Sequence, residues 1–289
     1  MQAKKIKFND AISETLFINL YFRALDNDEP EPILGDPFSR PVMQRIDYDF
    51  AKFKGGKFSK TGTVIRARFF DDEILDFARK NAGEKLVVVQ VGAGLDTRPL
   101  RLEKQLPGAL FYDLDLPDVI DLRSELVPKS ALNFSLKASM FETAWMDELR
   151  ARHEGAKFIF VLEGVAMYFS EPEISAFMRN LAQRFSGVVI LDLLSRFAAS
   201  IEPKRHDVLR YIANPPKFKL GIDDERSLEA WDERIKLLKT GVMMDIRPEK
   251  WCLAAKIFRI FSKIKNSCKM CVYGLNFALG GQICREFES

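Results

Sequence analysis

The chain has 289 residues, 47% of them hydrophobic, and its 44 lysines and arginines nearly balance 41 acids, leaving a formal charge of +3. Such a length holds one large α/β domain or two small ones with an ample core, and so even a balance excludes a nucleic-acid footprint carried by net charge. No run reaches the roughly 18 apolar residues of a membrane-spanning helix, and the first ten residues lack an apolar signal core, so the cytoplasm is the expected location.

In chain order, residues 1–80 read as a helical cap ahead of the sheet. Ile12, Leu16 and Leu20 recur at helical spacing, and the acidic, proline-containing run from Asp26 to Pro32 ends that helix. Short pieces between Phe38 and Phe53 stop at Gly55-Gly56. Apolar positions 65, 69, 70, 74, 77 and 78 then form one stripe along a helix over 63–80, which Gly83 stops. That helix runs directly into the next strand, so its early residues lie beside that strand's carboxyl end. Arg66 or Arg68 is placed there to meet a carboxylate; pairing with Asp71 or Asp72 in solvent fits the spacing equally.

Leu86-Val87-Val88-Val89-Gln90-Val91 reads as a strand buried on both faces. The following Gly92-Ala93-Gly94 lets the backbone turn tightly and a ligand come close. A dinucleotide fingerprint wants a third glycine where Thr97 stands, and Asp96 follows Gly94 by two residues, so the pattern leans away from NAD. Ala109 to Leu116 is the second strand and ends in Asp113 and Asp115. These lie about twenty residues past Gly92, a separation suited to binding ribose hydroxyls. Asp115 equally suits the cap of the helix that Pro117 begins.

Strands follow near 133–138, 158–162 and 187–194, with helices near 144–152 and 171–184 between them. Ser170 with Glu173 three positions on is a capping-box start for the second of these helices. The alternation implies a parallel sheet with helices on both faces. Glu163, an acid stranded in apolar sequence at a strand's carboxyl end, reads as facing a ligand. Polar residues 195–234, with Pro203, Pro215 and Pro216, read as an insertion over the site, and 235–239 as a sixth strand. Lys250–Ile264 reads as an amphipathic helix with Lys256, Arg259 and Lys263 outward, packed on the sheet rather than lying on a membrane, and 273–287 as a closing strand or hairpin. The expected organisation is a single domain: cap 1–80, core 81–194 and 235–289, insertion 195–234.

Cys268 and Cys271 have the spacing of half a zinc site, but no second pair and no nearby histidine accompanies them. Reduced thiols and no metal are expected.

Val91-Gly92-Ala93-Gly94-Leu95-Asp96-Thr97-Arg98, Tyr112-Asp113-Leu114-Asp115-Leu116-Pro117, the stretch from Leu162 to Phe169, and Arg66-x-Arg68-Phe69-Phe70-Asp71 together resemble the leucine carboxyl methyltransferase family, in particular its branch of bacterial polyketide O-methyltransferases. The resemblance implies a Rossmann-like class I methyltransferase sheet of seven strands, mostly parallel with the last antiparallel. It implies S-adenosylmethionine as cofactor and S-adenosylhomocysteine as product. By the same resemblance Arg66 holds the methionine carboxylate, Gly92 passes close to the cofactor, Asp115 binds the ribose and Glu163 lies beside the methionine amino end. Ser139 and Met140 stand where the family often has an acid that contacts adenine. The cofactor-binding set is then Arg66, Gly92, Gly94, Asp96, Asp113, Asp115, Ser139, Met140 and Glu163.

The expected reaction is methyl transfer to a carboxylate or hydroxyl of a small molecule, polyketide-like ones included, or to an exposed carboxylate. An NAD(P)-dependent oxidoreductase and a non-catalytic S-adenosylmethionine-binding module are the alternatives from other classes. A carboxylate acceptor needs no base and a phenol does. His206 and Tyr168 are the candidates for that role, while His153 reads as solvated on a surface helix. The expected partner is a small-molecule acceptor, with neither nucleic acid nor membrane, and the chain is a monomer or a dimer.

Overall fold

Strand β1 (Leu86–Val91) is buried along its whole length, because helices cover the sheet on both sides of it. It is the third strand of a seven-stranded sheet in a computed structural model that describes residues 4–5 and 11–276. The other strands are β2 (Leu110–Asp115), β3 (Asn133–Lys137), β4 (Lys157–Leu162), β5 (Gly187–Leu194), β6 (Ile235–Val242) and β7 (Cys268–Leu275). Their order is β3-β2-β1-β4-β5-β7-β6. From β3 to β5 all neighbours are parallel, and β7 is antiparallel to both of its own. This is the expected seven-stranded, mostly parallel sheet with its last strand reversed. The chain leaves β1 in one direction for β2 and β3 and returns to β4 on the other side, so a crevice opens at the carboxyl ends of β1 and β4.

Side chains alternate across β1. Val87, Val89 and Val91 pack toward α6 (Ala144–Arg152) and α7 (Glu171–Arg184), while Leu86 and Val88 pack toward α3 (Lys57–Lys80). A third apolar cluster joins α1 (Ala11–Asp26), the segment around α2 (Ser39–Gln44), α5 (Pro117–Leu126) and Val208, Leu209 and Ile212 of the insertion. That cluster fastens the amino-terminal cap and the insertion to each other over the crevice. The insertion is also tied down by Lys219, whose N–H donates to the Met167 carbonyl at 2.7 Å. The Ser170 start of α7 is as expected: Glu173 Oε2 accepts the Ser170 N–H at 2.7 Å and its hydroxyl at 2.6 Å.

Several expectations are corrected. The single helix over 250–264 is two short ones, α9 (Leu253–Phe258) and α10 (Ser262–Lys265), and the turn between them leaves Ile260 and Phe261 exposed. The closing strand begins at Cys268, five residues early, and residues 277–287 of the expected hairpin lie outside the described residues. His153 is buried, with Nε2 2.7 Å from the Tyr112 hydroxyl, and is no solvated surface group. Cys268 and Cys271 stand an odd number of places apart on β7, so their thiols fall on opposite faces of the sheet. Among the described residues no helix is long and apolar enough to cross a membrane.

Candidate active site

The β1 strand hands its chain to a loop that only glycine can make in this way. Gly92 has φ +70°, and a Cβ there would stand 2.6 Å from Val165 Cγ2. The loop is held from the neighbouring strand: Asp115 Oδ2 accepts the Gly94 N–H at 2.8 Å, and Oδ1 accepts the Leu116 N–H at 2.8 Å. Asp115 therefore joins two strand tips and does not occupy the N-cap of α5, a position taken by Leu116. Burial pushes its carboxyl up, against the pull of the two amides. Asp113 plays another part. Gln90 donates to its Oδ1 at 2.5 Å, while Arg123 and Asn133 each donate to its Oδ2 at 2.7 Å. Arg123 also reaches the Gly94 carbonyl at 3.1 Å, so Asp113 braces the glycine loop from behind and does not line the crevice.

Beside the loop lies a buried set of ion pairs. Glu163, just past β4, receives Arg23 of α1 at 2.7 Å, Arg66 of α3 at 3.4 Å and Arg98 of α4 (Arg98–Leu102) at 2.5 Å. Arg66 spans to Asp192 on β5 at 2.9 Å, and Arg23, Arg98 and Arg101 converge on Asp96 at 2.9–3.0 Å. Asp71 and Asp36 complete the set through Arg98 and Arg101. Burial pushes the Glu163 carboxyl up, but Arg23, Arg98 and Arg66 outweigh it and hold it down at about 2. Asp96 is held lower still by Arg23, Arg98 and Arg101 against the same burial. For Asp192 burial prevails over Arg66, and its carboxyl is raised. Four arginines face five carboxylates here, an excess of one negative charge.

Two cavities flank this set. The first, about 570 Å³, runs along the glycine loop and is lined by Gly92, Gly94, Asp96, Asp115, Ser139, Met140 and Glu163. The second, about 560 Å³, lies over β5 and the start of β7, with Arg66, His206, Met243 and Trp251 among its walls. Thr15, Asn19, Gly164 and Tyr168 line both. Of the nine residues expected at a cofactor, the fold thus brings seven to the first cavity, leaves Asp113 behind it and sets Arg66 in the wall of the second. Arg66 is gripped at its other donors by Asn19 at 3.2 Å, and Gly164 leaves the room it needs, since a Cβ there would meet Nη2 at 3.0 Å. Arg68, by contrast, is exposed and pairs with Asp72 one turn on, 2.8 Å apart.

His206 and Tyr168 both reach the second cavity. Tyr168 bonds Thr15, and burial raises its hydroxyl pKa, so it stays protonated. His206 Nδ1 is 3.3 Å from Asp207 Oδ1, and Asp207 is fixed by the Ser59 N–H at 2.9 Å and hydroxyl at 2.6 Å. The Val208 and Leu209 amides are farther from Nδ1, at 3.4 and 3.5 Å. Both amides donate their N–H to Nδ1, so in the neutral ring Nδ1 is the acceptor and the proton sits on Nε2. Burial lowers the His206 pKa, with Asp207 opposing, so the imidazole is neutral near pH 7. Arg23, Arg98 and Arg123 were not assigned to the site from the sequence; Arg98 stood in the motif over residues 92–98 that carries the family resemblance, but without a role of its own.

A family model described as leucine carboxyl methyltransferase matches residues 17–182. The tetracenomycin polyketide synthesis O-methyltransferase TcmP of Streptomyces glaucescens is 31% identical over 249 residues, which cover 83% of this chain and 88% of that protein. An S-adenosyl-L-methionine-dependent methyltransferase of Gibberella zeae, dpfgK, is 28% identical over 235 residues, 75% of this chain and 77% of its own length. In architecture the chain is similar to the crystal structure of a candidate methyltransferase from Thermobifida fusca, with a TM-score of 0.56 at 13% identity over 90% of this chain and 94% of that one. The chain belongs to the leucine carboxyl methyltransferase family and is an S-adenosylmethionine-dependent methyltransferase.

Proposed function

We propose that this methyltransferase transfers its methyl group to an oxygen, of a hydroxyl or a carboxylate, on an apolar small molecule held in the second cavity. The observation that carries this reading is the wall of Thr15, Asn19, Gly164 and Tyr168 common to both cavities. A cofactor in one and an acceptor in the other meet across it. The second cavity has the volume of a small-molecule site and mainly apolar walls, Ile18, Phe58, Met167, Phe197 and Phe218 among them. The Streptomyces relative, named for polyketide O-methylation, supports the same acceptor class.

The first cavity suits S-adenosylmethionine, which when bound supplies a methyl group activated on a sulfonium. Its wall sets Asp96, Asp115, Glu163 and Glu173 against Arg23 and Arg98, an excess of acid that suits the net positive charge of that molecule, and Arg23 Nε is buried there without a partner among the described residues. In this reading Asp115 takes the ribose, Ser139 and Met140 border the adenine, and Glu163 with Arg23 meets the amino-acid end. Arg66 acts from one side chain away, by fixing Glu163 and Asp192. The protein's task is alignment, a proximity effect of up to about 7–11 kcal/mol in well-oriented systems.

Two substitutions test the cofactor assignments by calorimetry. Asp115→Asn keeps an acceptor and the shape but loses the charge, so S-adenosylmethionine affinity is expected to fall by about 1–1.5 kcal/mol, roughly tenfold; unchanged affinity would confine Asp115 to bracing the loop. Arg66→Lys keeps the charge but cannot face Glu163, Asp192 and Asn19 together. Its affinity is expected to drop by about tenfold or more, whereas Arg68→Lys alters only an exposed pair worth about 0–1 kcal/mol. Equal, near-native values for both would remove Arg66 from the site. The overall reading is tested by incubating the protein with methyl-labelled S-adenosylmethionine and a panel of apolar phenols and carboxylic acids. Label on an oxygen, found by mass spectrometry, supports it; label only on nitrogen, sulfur or protein, or on nothing, overturns it.

A further inference from the structure

The α9–α10 segment presents an apolar surface that the catalytic reading does not use. Leu253 is 75% exposed, Ile257 51%, Phe258 43%, Ile260 80% and Phe261 59%. These five follow one another within nine residues, and no described element covers them. The same stretch is one-signed: residues 250–269 hold Lys250, Lys256, Arg259, Lys263, Lys265 and Lys269 and no acid. Lys250 and Lys269 are met by Glu31 and Glu225 from elsewhere in the chain, and Asp245 serves Arg259 and Lys265 together. Lys256 has no acidic partner among the described residues, and Lys263 lies 4.7 Å over the Phe197 ring without one. The surface therefore keeps its positive charge after its ion pairs are counted.

We infer that this segment is an interfacial surface that lays its apolar side chains into an anionic lipid bilayer, with the lysines among the headgroups. An apolar edge flanked by cations is the pattern of helices that lie in a membrane interface. A second copy of the chain fits less well, because a two-fold contact would set this cationic surface against itself. The position is consistent with the acceptor cavity beside it: Phe258 and Ile264 belong both to this segment and to the walls of the second cavity. If that cavity holds the acceptor, an apolar acceptor dissolved in the bilayer enters where the protein is docked. That last link rests on the proposed function; the docking itself does not. It also departs from the expectations that residues 250–264 pack on the sheet rather than lie on a membrane and that the chain has no membrane partner.

The test is co-sedimentation of the full chain with vesicles, with neither cofactor nor acceptor present, so that its failure is separable from a failure of methyl transfer. Vesicles of phosphatidylcholine with about one-third phosphatidylserine are expected to carry the protein down, and pure phosphatidylcholine much less. Lys256→Ala with Lys263→Ala is expected to weaken binding by about 25-fold, about fivefold for each cation near the surface, and Ile260→Asp with Phe261→Asp to abolish it. All four side chains are exposed, so unchanged melting temperatures serve as the control. The inference is overturned if neither vesicle binds the wild-type chain, or if the two double variants bind as well as it does. It is also overturned if light scattering shows a dimer that Ile260→Asp with Phe261→Asp converts to monomer, which would assign the surface to a second copy.

Discussion

Arg98→Met is expected to lower the stability of the folded protein by about 3–5 kcal/mol. Arg98 is one of the largest fully buried side chains, and its guanidinium donates to Asp71 at 2.6 Å, Glu163 at 2.5 Å and Gln90 at 3.1 Å, with Asp96 at 3.0 Å. Methionine fills much of the volume but leaves these buried carboxylates one cation short, and breaking a buried pair from one side costs that much. Arg98→Lys is expected to recover little, because a single ammonium cannot reach groups arranged around a planar fork. Thermal unfolding reads the effect as about 2–4 °C per kcal/mol for a chain approaching this size. Lys104→Met, at an exposed site, is the control, with a change within about 0.5 kcal/mol. A loss for Arg98→Met no greater than the control's would mean that the ion pairs do not hold this part of the fold.

That network also marks where reading the sequence stopped. Local signals sufficed for the parallel part of the sheet, while the reversed last strand followed only from the family resemblance: the β-branched run of β1, the glycines after it, the acids at the tip of β2 and the serine–glutamate start of α7 are each legible within a few residues. The arginines are not, because Arg23 meets Glu163 across 140 positions, and along α1 its spacing resembles that of any solvated basic residue. For Arg66 and Arg68 the spacing left the choice open, and packing decided it by turning one toward β5 and the other toward water. Asp113 was read as a ligand because it lies at a strand tip; the three donors that consume it come from β1, α5 and β3, which no local pattern links. The break between α9 and α10 has neither glycine nor proline to announce it.

His206→Gln is expected to lower kcat for a phenolic acceptor by about 10²–10⁴-fold, the usual contribution of a positioned base, and to leave a carboxylic acid acceptor almost untouched. The imidazole lines the second cavity and is neutral near pH 7, able to take a proton once Nδ1 is released by the Val208 and Leu209 amides. Glutamine keeps the polarity but cannot take a proton. Steady-state rates for one phenol and one carboxylic acid of similar size separate the cases: equal losses would make His206 a wall of the cavity, and no loss for either would remove it from the reaction. The phenol rate of the wild type should also fall as pH drops through the lowered His206 pKa, since protonation occupies the lone pair; the carboxylic acid should not share that limb.

The unequal count of arginines and carboxylates around Glu163 bears on turnover. The methyl donor arrives with one positive charge more than the spent cofactor keeps, because loss of the methyl converts a sulfonium into a neutral thioether. The wall of the first cavity sets Asp96, Asp115, Glu163 and Glu173 against Arg23 and Arg98, and such an excess of acid holds a cation better than a neutral zwitterion of nearly the same shape. If the first cavity holds the cofactor as proposed, loss of the methyl removes the charge that its acidic wall attracts, and the electrostatic hold on the spent molecule is the weaker of the two.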